Sequence, residues 1–182
     1  MAMPSIILIG FKGCGKTTVG RLLAEALKRR FVDLDNVIVD LHEARSGERA
    51  PFREIFRRIG SKEFRALELQ AAIRVRDDLI ASPAPAVLSV GGGAFVHEDT
   101  REVLKPLGQV VCLKAPFEEL LARILRHGLP AFVSKPHHAE VELHDYFLRR
   151  EPTLLKYADV VVNIAGCDPR QALQRTREAL AL

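Results

Sequence analysis

The sequence predicts an α/β protein: a parallel sheet of five strands with helices on both faces. Three observations carry that reading. Short apolar runs alternate with segments of helical periodicity, a glycine-rich loop stands between the first run and the first helix, and no repeat, low-complexity tract or linker divides the chain. A length of 182 residues suits one compact domain, 1–182, with one continuous core.

The strand candidates are Ile6–Ile9, Phe31–Asp33, Ala86–Val90, Gln109–Leu113 and Val160–Ile164. Between the first two, Val19, Leu22, Leu23, Ala26 and Leu27 recur at helical spacing, and their face is expected to pack on the sheet. The stretch from about 35 to 80 carries helical patterns and no strand, so it reads as a helical insertion on one side of the core. After the fourth strand, Phe117, Leu120, Leu121, Ile124 and Leu125 mark a second sheet-facing helix. After the fifth, Ala172, Leu173, Thr176, Ala179 and Leu180 mark a third. The segment from about 128 to 140, with two prolines and two histidines, reads as a mobile loop.

Composition excludes several classes. A hydrophobic fraction of 48% and a charged fraction of 27% are those of a globular protein and not of a disordered, collagen-like or disulfide-scaffold chain. The net charge of +4 comes from scattered Lys and Arg residues, and aromatics are only 6%, so no nucleic-acid platform is indicated; anionic small molecules account for the excess. The run Ser5-Ile6-Ile7-Leu8-Ile9 has no basic region before it and is too short for a signal peptide or a membrane span. A cytoplasmic protein, monomeric and without a membrane partner, is expected. Cys14, Cys112 and Cys167 are odd in number and lack metal-ligand spacing, so reduced thiols are expected.

The strongest chemical signal is Gly10-Phe11-Lys12-Gly13-Cys14-Gly15-Lys16-Thr17, placed after a strand and opening a helix. Such a loop turns backbone N–H groups and the positive end of a helix toward a phosphate. Lys16 is then placed to bridge the β- and γ-phosphates of ATP, and the Thr17 hydroxyl to bind Mg²⁺. Gly13, Cys14, Gly15 and Thr18 complete the nucleotide-binding set. Cys14 reads as a small residue that fits the turn, and Lys12 as a solvated side chain.

An acceptor site is sought in four further pieces. The second strand ends in Phe31-Val32-Asp33-Leu34-Asp35, which sets two carboxylates two residues apart on one side at the ligand-binding edge of the sheet. Phe56, Glu63-Phe64-Arg65 and Glu68 lie on a helix of the insertion. Gly91-Gly92-Gly93 after the third strand opens bare backbone to a ligand, and Arg149-Arg150-Glu151-Pro152 precedes the last strand. Taken alone, Asp33 and Asp35 also fit a helix cap and a turn, Arg65 a solvated helix face and Arg150 a surface ion pair.

In the order of these motifs the chain resembles the shikimate kinases, chiefly through Gly13 to Gly20, Phe31 to Asp35, Phe64-Arg65 and Gly91-Gly92-Gly93. The resemblance implies a three-layer fold of the P-loop kinase type, with a helical substrate-binding insertion and a lid, and transfer of the γ-phosphoryl group of ATP to a hydroxyl of shikimate. It implies further that Asp33 contacts Mg²⁺ and that Asp35 holds the substrate hydroxyls and orients the attacking one or takes its proton. Arg65 and Arg150 would clamp the carboxylate, Gly91, Gly92 and Gly93 would face the substrate, and Phe56 and Phe64 would line the apolar side of its ring.

The chain departs from the family on the ATP side. Where the family carries an Arg-Pro pair in the lid, this chain has Leu129-Pro130, with Lys135, Arg123 and Arg126 as the nearby cations. The adenine side, Gly166-Cys167-Asp168-Pro169, has no basic residue before Arg170. A kinase with a different hydroxy-acid acceptor, and a nucleotide-binding homologue of low or no activity, are the alternatives. His137, His138, Glu140 and His144 read as a solvated lid and helix start and not as a metal site.

Overall fold

Strand β1, Ser5–Ile9, is buried at every position and forms the middle of a five-stranded parallel sheet of order β2-β3-β1-β4-β5. The computed structural model describes residues 4–81, 84–130, 133 and 136–182. In chain order β1 is followed by helix α1 (Lys16–Leu27), strand β2 (Arg30–Asp33), helices α2 (Leu34–Ser46) and α3 (Phe52–Ala81), and strand β3 (Ala86–Ser89). Two short helices, α4 (Gly92–Val96) and α5 (Glu98–Leu104), lead to β4 (Gly108–Lys114). Helix α6 (Phe117–His127), helix α7 (Ala139–Tyr157), strand β5 (Val160–Asn163) and helix α8 (Pro169–Ala179) complete the chain. The family's three-layer arrangement and the five expected strands are present, each strand within about two residues of its expected ends.

Alternation along the strands explains why both faces are covered. Ile7 and Ile9 of β1, Ala86 and Leu88 of β3 and Val110 and Cys112 of β4 enter one apolar cluster with Ile38 of α2 and Leu67, Ala71 and Val75 of α3. Ile6 and Leu8, Val87, and Val111 and Leu113 enter the other, with Val19 and Leu23 of α1, Leu120 and Ile124 of α6 and Ala172 of α8. Strands buried on both sides read as unbroken apolar runs, which is what the sequence shows.

Four expectations need correction. Leu125, Ala26 and Ala179 are exposed, Leu125 at 57%, because each helix touches the sheet along a stripe narrower than its apolar arc. The second strand stops at Asp33, so Asp35 lies in the first turn of α2 and not on a strand. The Asp33 carboxylate accepts the Asp35 N–H at 3.1 Å and caps the helix, which is why the strand ends there. The stretch read as an insertion connects β2 to β3, and most of α3 packs in the sheet's own core; α3 bends at Gly60, whose φ of 77° and ψ of 172° are not helical. The segment read as a mobile loop ends in structure: Pro136–His138 form a 3₁₀ turn and α7 starts at Ala139. Lys135 lies outside the described residues.

Candidate active site

A cleft of about 670 Å³ opens at the carboxyl edge of the sheet, within the size range of small-molecule sites. The loop after β1 forms one end of it. Gly13 and Gly15 hold φ of 84° and 85°, the left-handed region in which side chains are disfavoured. Gly15 caps α1 without any side-chain hydrogen bond, so the first N–H groups of α1 remain turned toward the cleft. Lys16 Nζ donates to the carbonyls of Gly10 and Phe11 at 3.0 and 3.1 Å and so lies folded over the loop. Thr17 Oγ1 donates to Asp33 Oδ2 at 2.8 Å and stands 3.4 Å from Ser89 Oγ. A hydroxyl beside a carboxylate is a set of hard oxygen donors, the kind a magnesium ion shares with nucleotide phosphates.

The opposite end is lined by Asp35, Phe52, Phe56, Phe64, Arg65 and Arg150. Phe64 packs edge-on against Phe52 and Phe56, with ring centroids 5.0 and 5.1 Å away, and the three rings form an apolar wall. Arg65 pairs with the buried Glu68 one helical turn on. Burial holds the Glu68 carboxyl above its usual range against the pull of Arg65. Arg150 comes from α7, stacks over Tyr146 at 4.7 Å, and is held below its usual pKa first by burial and then by the Arg65 charge. The two guanidinium groups meet over Gly93: a Cβ built there would lie 3.6 Å from Arg150 Nη1 and 3.7 Å from Arg65 Nη1. Two cations brought together at a partly dry surface favour an anion between them, and paired guanidinium groups suit a carboxylate.

Asp35 sits between the two ends. Its Oδ1 would lie 3.3 Å from a Cβ at Gly91, and its pKa is pushed up to about 6, first by burial and then by Asp33, against the pull of Lys16 and Lys12. A carboxylate with such a pKa is suited to exchange a proton near neutral pH.

Thus Gly13, Cys14, Gly15, Lys16, Thr17, Thr18, Asp35, Arg65, Gly91, Gly92, Gly93 and Arg150 all line one cleft, and Asp33 reaches it through Thr17. Gly92 has a packing reason of its own. A Cβ there would come within 2.6 Å of the Gly10 carbonyl, so it lets α4 close on the phosphate loop.

Lys12 was expected to be solvated. Instead it lines the cleft, and its ammonium is lowered from its usual pKa by burial and by the charges of Arg53 and Lys16. Sequence reasoning also passed over Ser89 and Arg53. Ser89 is the first polar residue at the end of β3, in register with Leu8 beside the loop, a placement that parallel pairing could have flagged. Arg53 stands one helical turn before Phe56, and that spacing is the signal that could have found it.

Of the cations weighed against the missing lid arginine, Arg123 lines the cleft, where it donates to the Gly13 carbonyl at 3.4 Å and to Glu119 at 3.3 Å. Arg126 is exposed and is not among the lining residues. Leu129 packs into the apolar cluster under α1 and α6. At the nucleotide end, Ile164, Cys167 and Pro169 line the wall, and Asp168 caps α8. His144 packs its ring against Phe117 at 4.8 Å.

The chain is similar to known proteins along nearly its whole length. A family model described as "Shikimate kinase" matches residues 12–181. A shikimate kinase of Chromohalobacter salexigens is 37% identical over 179 residues, covering 96% of this chain and 93% of that one. One from Pseudomonas aeruginosa is 36% identical over 178 residues, covering 98% and 96%. Among solved structures, the shikimate kinase of Acinetobacter baumannii in complex with shikimate superposes with a TM-score of 0.81 at 33% identity, covering 98% of this chain and 94% of that one. That of Bacteroides thetaiotaomicron gives 0.79 at 30% identity over the whole of both chains. With a family model spanning nearly the whole sequence and relatives above 30% identity along its length, the chain belongs to the shikimate kinase family.

Proposed function

We propose that this protein transfers the γ-phosphoryl group of ATP to a hydroxyl of shikimate, giving shikimate 3-phosphate and ADP, a step of aromatic amino acid biosynthesis. The observation that carries this is the polarity of one cleft: a phosphate loop at one end, and two guanidinium groups with an aromatic wall at the other. A ring acid fits the second end. Its carboxylate meets Arg65 and Arg150, its apolar side meets Phe56 and Phe64, and its hydroxyls face Asp35.

In the transfer, a bond forms between the acceptor oxygen and the γ-phosphorus while the bond to the bridging oxygen of ADP breaks. The hydroxyl proton goes to Asp35. Lys16 leaves the loop carbonyls for the β- and γ-phosphate oxygens, and α1 offers its N–H groups to the β-phosphate. Thr17 and Asp33 are the residues that would hold Mg²⁺, which neutralises charge between the phosphates when bound. Among the described residues no helix is long and apolar enough to cross a membrane.

A coupled assay of ADP release tests the reading. Turnover is expected only when shikimate is present; turnover only with another hydroxy acid, or nucleotide binding without turnover, would overturn it. Arg65→Ala and Arg150→Ala are each expected to weaken shikimate binding by roughly 1.5–3 kcal/mol, with nucleotide affinity little changed. Titration calorimetry against each ligand separates the two effects, and equal losses for both would contradict the clamp. Arg65→Ala should also lower the melting temperature, because the buried Glu68 loses its ion pair.

A further inference from the structure

The phosphate end of the cleft holds more positive charge than the loop lysine supplies. Lys12 and Lys16 come from the loop, and Arg53 enters from the first turn of α3. Among the described residues none of the three forms an ion pair with a carboxylate. Arg53 is partly buried and is fixed from the lid side: Nη2 donates to the His127 carbonyl at 3.3 Å, and a Cβ at Gly128 would lie 2.9 Å from Nη1. Its helical neighbours Phe52 and Phe56 wall the acceptor end, while Lys12 belongs to the loop. The guanidinium group therefore stands where the two ends of the cleft meet. Burial, and after it the charges of Arg53 and Lys16, hold the Lys12 ammonium below its usual pKa. Gathered cations repel one another, and the arrangement becomes favourable when an anion enters among them.

We infer that Arg53, assisted by Lys12, supplies the positive charge at the phosphoryl group in transit, the task for which Leu129 has no charge. This rests on the phosphotransfer reading above. Neither cation gains or loses a proton: the acceptor oxygen bonds to phosphorus, the electron pair of the broken bond stays on ADP, and the hydroxyl proton passes to Asp35. Leu129 is partly buried and packs against the apolar cluster, so the charge arrives from α3 instead of the lid.

Steady-state kinetics with ATP and shikimate on Arg53→Gln, Lys12→Met and the double variant test this, together with ADP binding in the presence and absence of aluminium fluoride, which mimics the transferring group. An arginine at a transferring phosphoryl contributes about 10³ to 10⁵ in rate, and with the task shared, Arg53→Gln is expected to lower kcat roughly ten- to a hundredfold. The double variant should lose more. Michaelis constants and ADP affinity should stay within about threefold, while the gain in ADP affinity from aluminium fluoride disappears, a split characteristic of interactions made only in the transition state. Arg53→Lys should keep part of the rate, and it decides the matter should the glutamine variant fail to fold. A kcat within twofold of wild type in the singles and the double overturns the inference while shikimate-dependent turnover leaves the kinase reading standing. ADP affinity falling as much as affinity for the fluoride complex, or a change confined to the KM for shikimate, also overturns it. A wild type without shikimate-dependent turnover overturns the kinase reading itself.

Discussion

Lys16→Met is expected to abolish phosphoryl transfer, with a loss of at least about 10³ in kcat, since transfer depends on positioning and charge at the β- and γ-phosphates. The fold should survive. Lys16 lines a cleft and contributes two hydrogen bonds to the carbonyls of Gly10 and Phe11, at 3.0 and 3.1 Å, and no packing to either apolar cluster. Losing those bonds should cost on the order of 1–3 kcal/mol, less than the stability of an ordinary domain. Methionine keeps the length of the stem and removes only the charge. Kinetics and thermal melting on the same preparation check this: near-normal turnover would refute the role of Lys16, and a collapse of the melting temperature would show that the lysine holds the loop together.

The phosphate loop was legible in the sequence because its requirements are local. Gly13 and Gly15 satisfy a backbone conformation, the run from Ser5 to Ile9 specifies a strand buried on both faces, and the spacing of Val19 and Leu23 specifies the helix that follows. The acceptor end was legible only through the resemblance to a family, since Arg65 and Arg150 lie far apart in sequence and meet over Gly93 only when α3 and α7 have docked. What escaped the sequence is of one kind. Lys12, Arg53 and Ser89 are ordinary polar residues whose placement follows from tertiary packing: the entry angle of α3, the lie of the loop, the register of β3 against β1. Charge in a cleft leaves no periodicity to read. Asp35 was misread as part of the strand end for a related reason, because the Asp33 side chain ends the strand, caps the helix that carries Asp35 and reaches the site through Thr17.

Asp35→Asn is expected to lower kcat by a factor of about 10² or more while making the ligand-free protein more stable at neutral pH. The loss in rate follows from removing the group that takes the acceptor proton; if only KM moved, Asp35 would be a binding residue. The gain in stability follows from its pKa, raised to about 6 from an ordinary 3.8 by burial and by Asp33. A raised value means that the folded chain holds this proton more tightly than the unfolded one. The proton's contribution to stability is therefore complete below about pH 4 and is lost as pH rises through about 6. Above that, the wild type carries a charged carboxylate in a place that opposes it, at a cost on the order of 2 kcal/mol. The asparagine variant escapes the cost and should melt roughly 5 °C higher at pH 8, with the difference shrinking toward pH 4. In the wild type kcat/KM should rise with pH through about 6 as the carboxylate ionises, and the residual activity of the variant should lack that limb. Melting curves and pH–rate profiles on both proteins measure the two effects separately. A variant less stable than wild type at pH 8 would mean that Lys12 and Lys16 hold the Asp35 charge more firmly than burial and Asp33 oppose it, and the rising limb near pH 6 would then belong to another group.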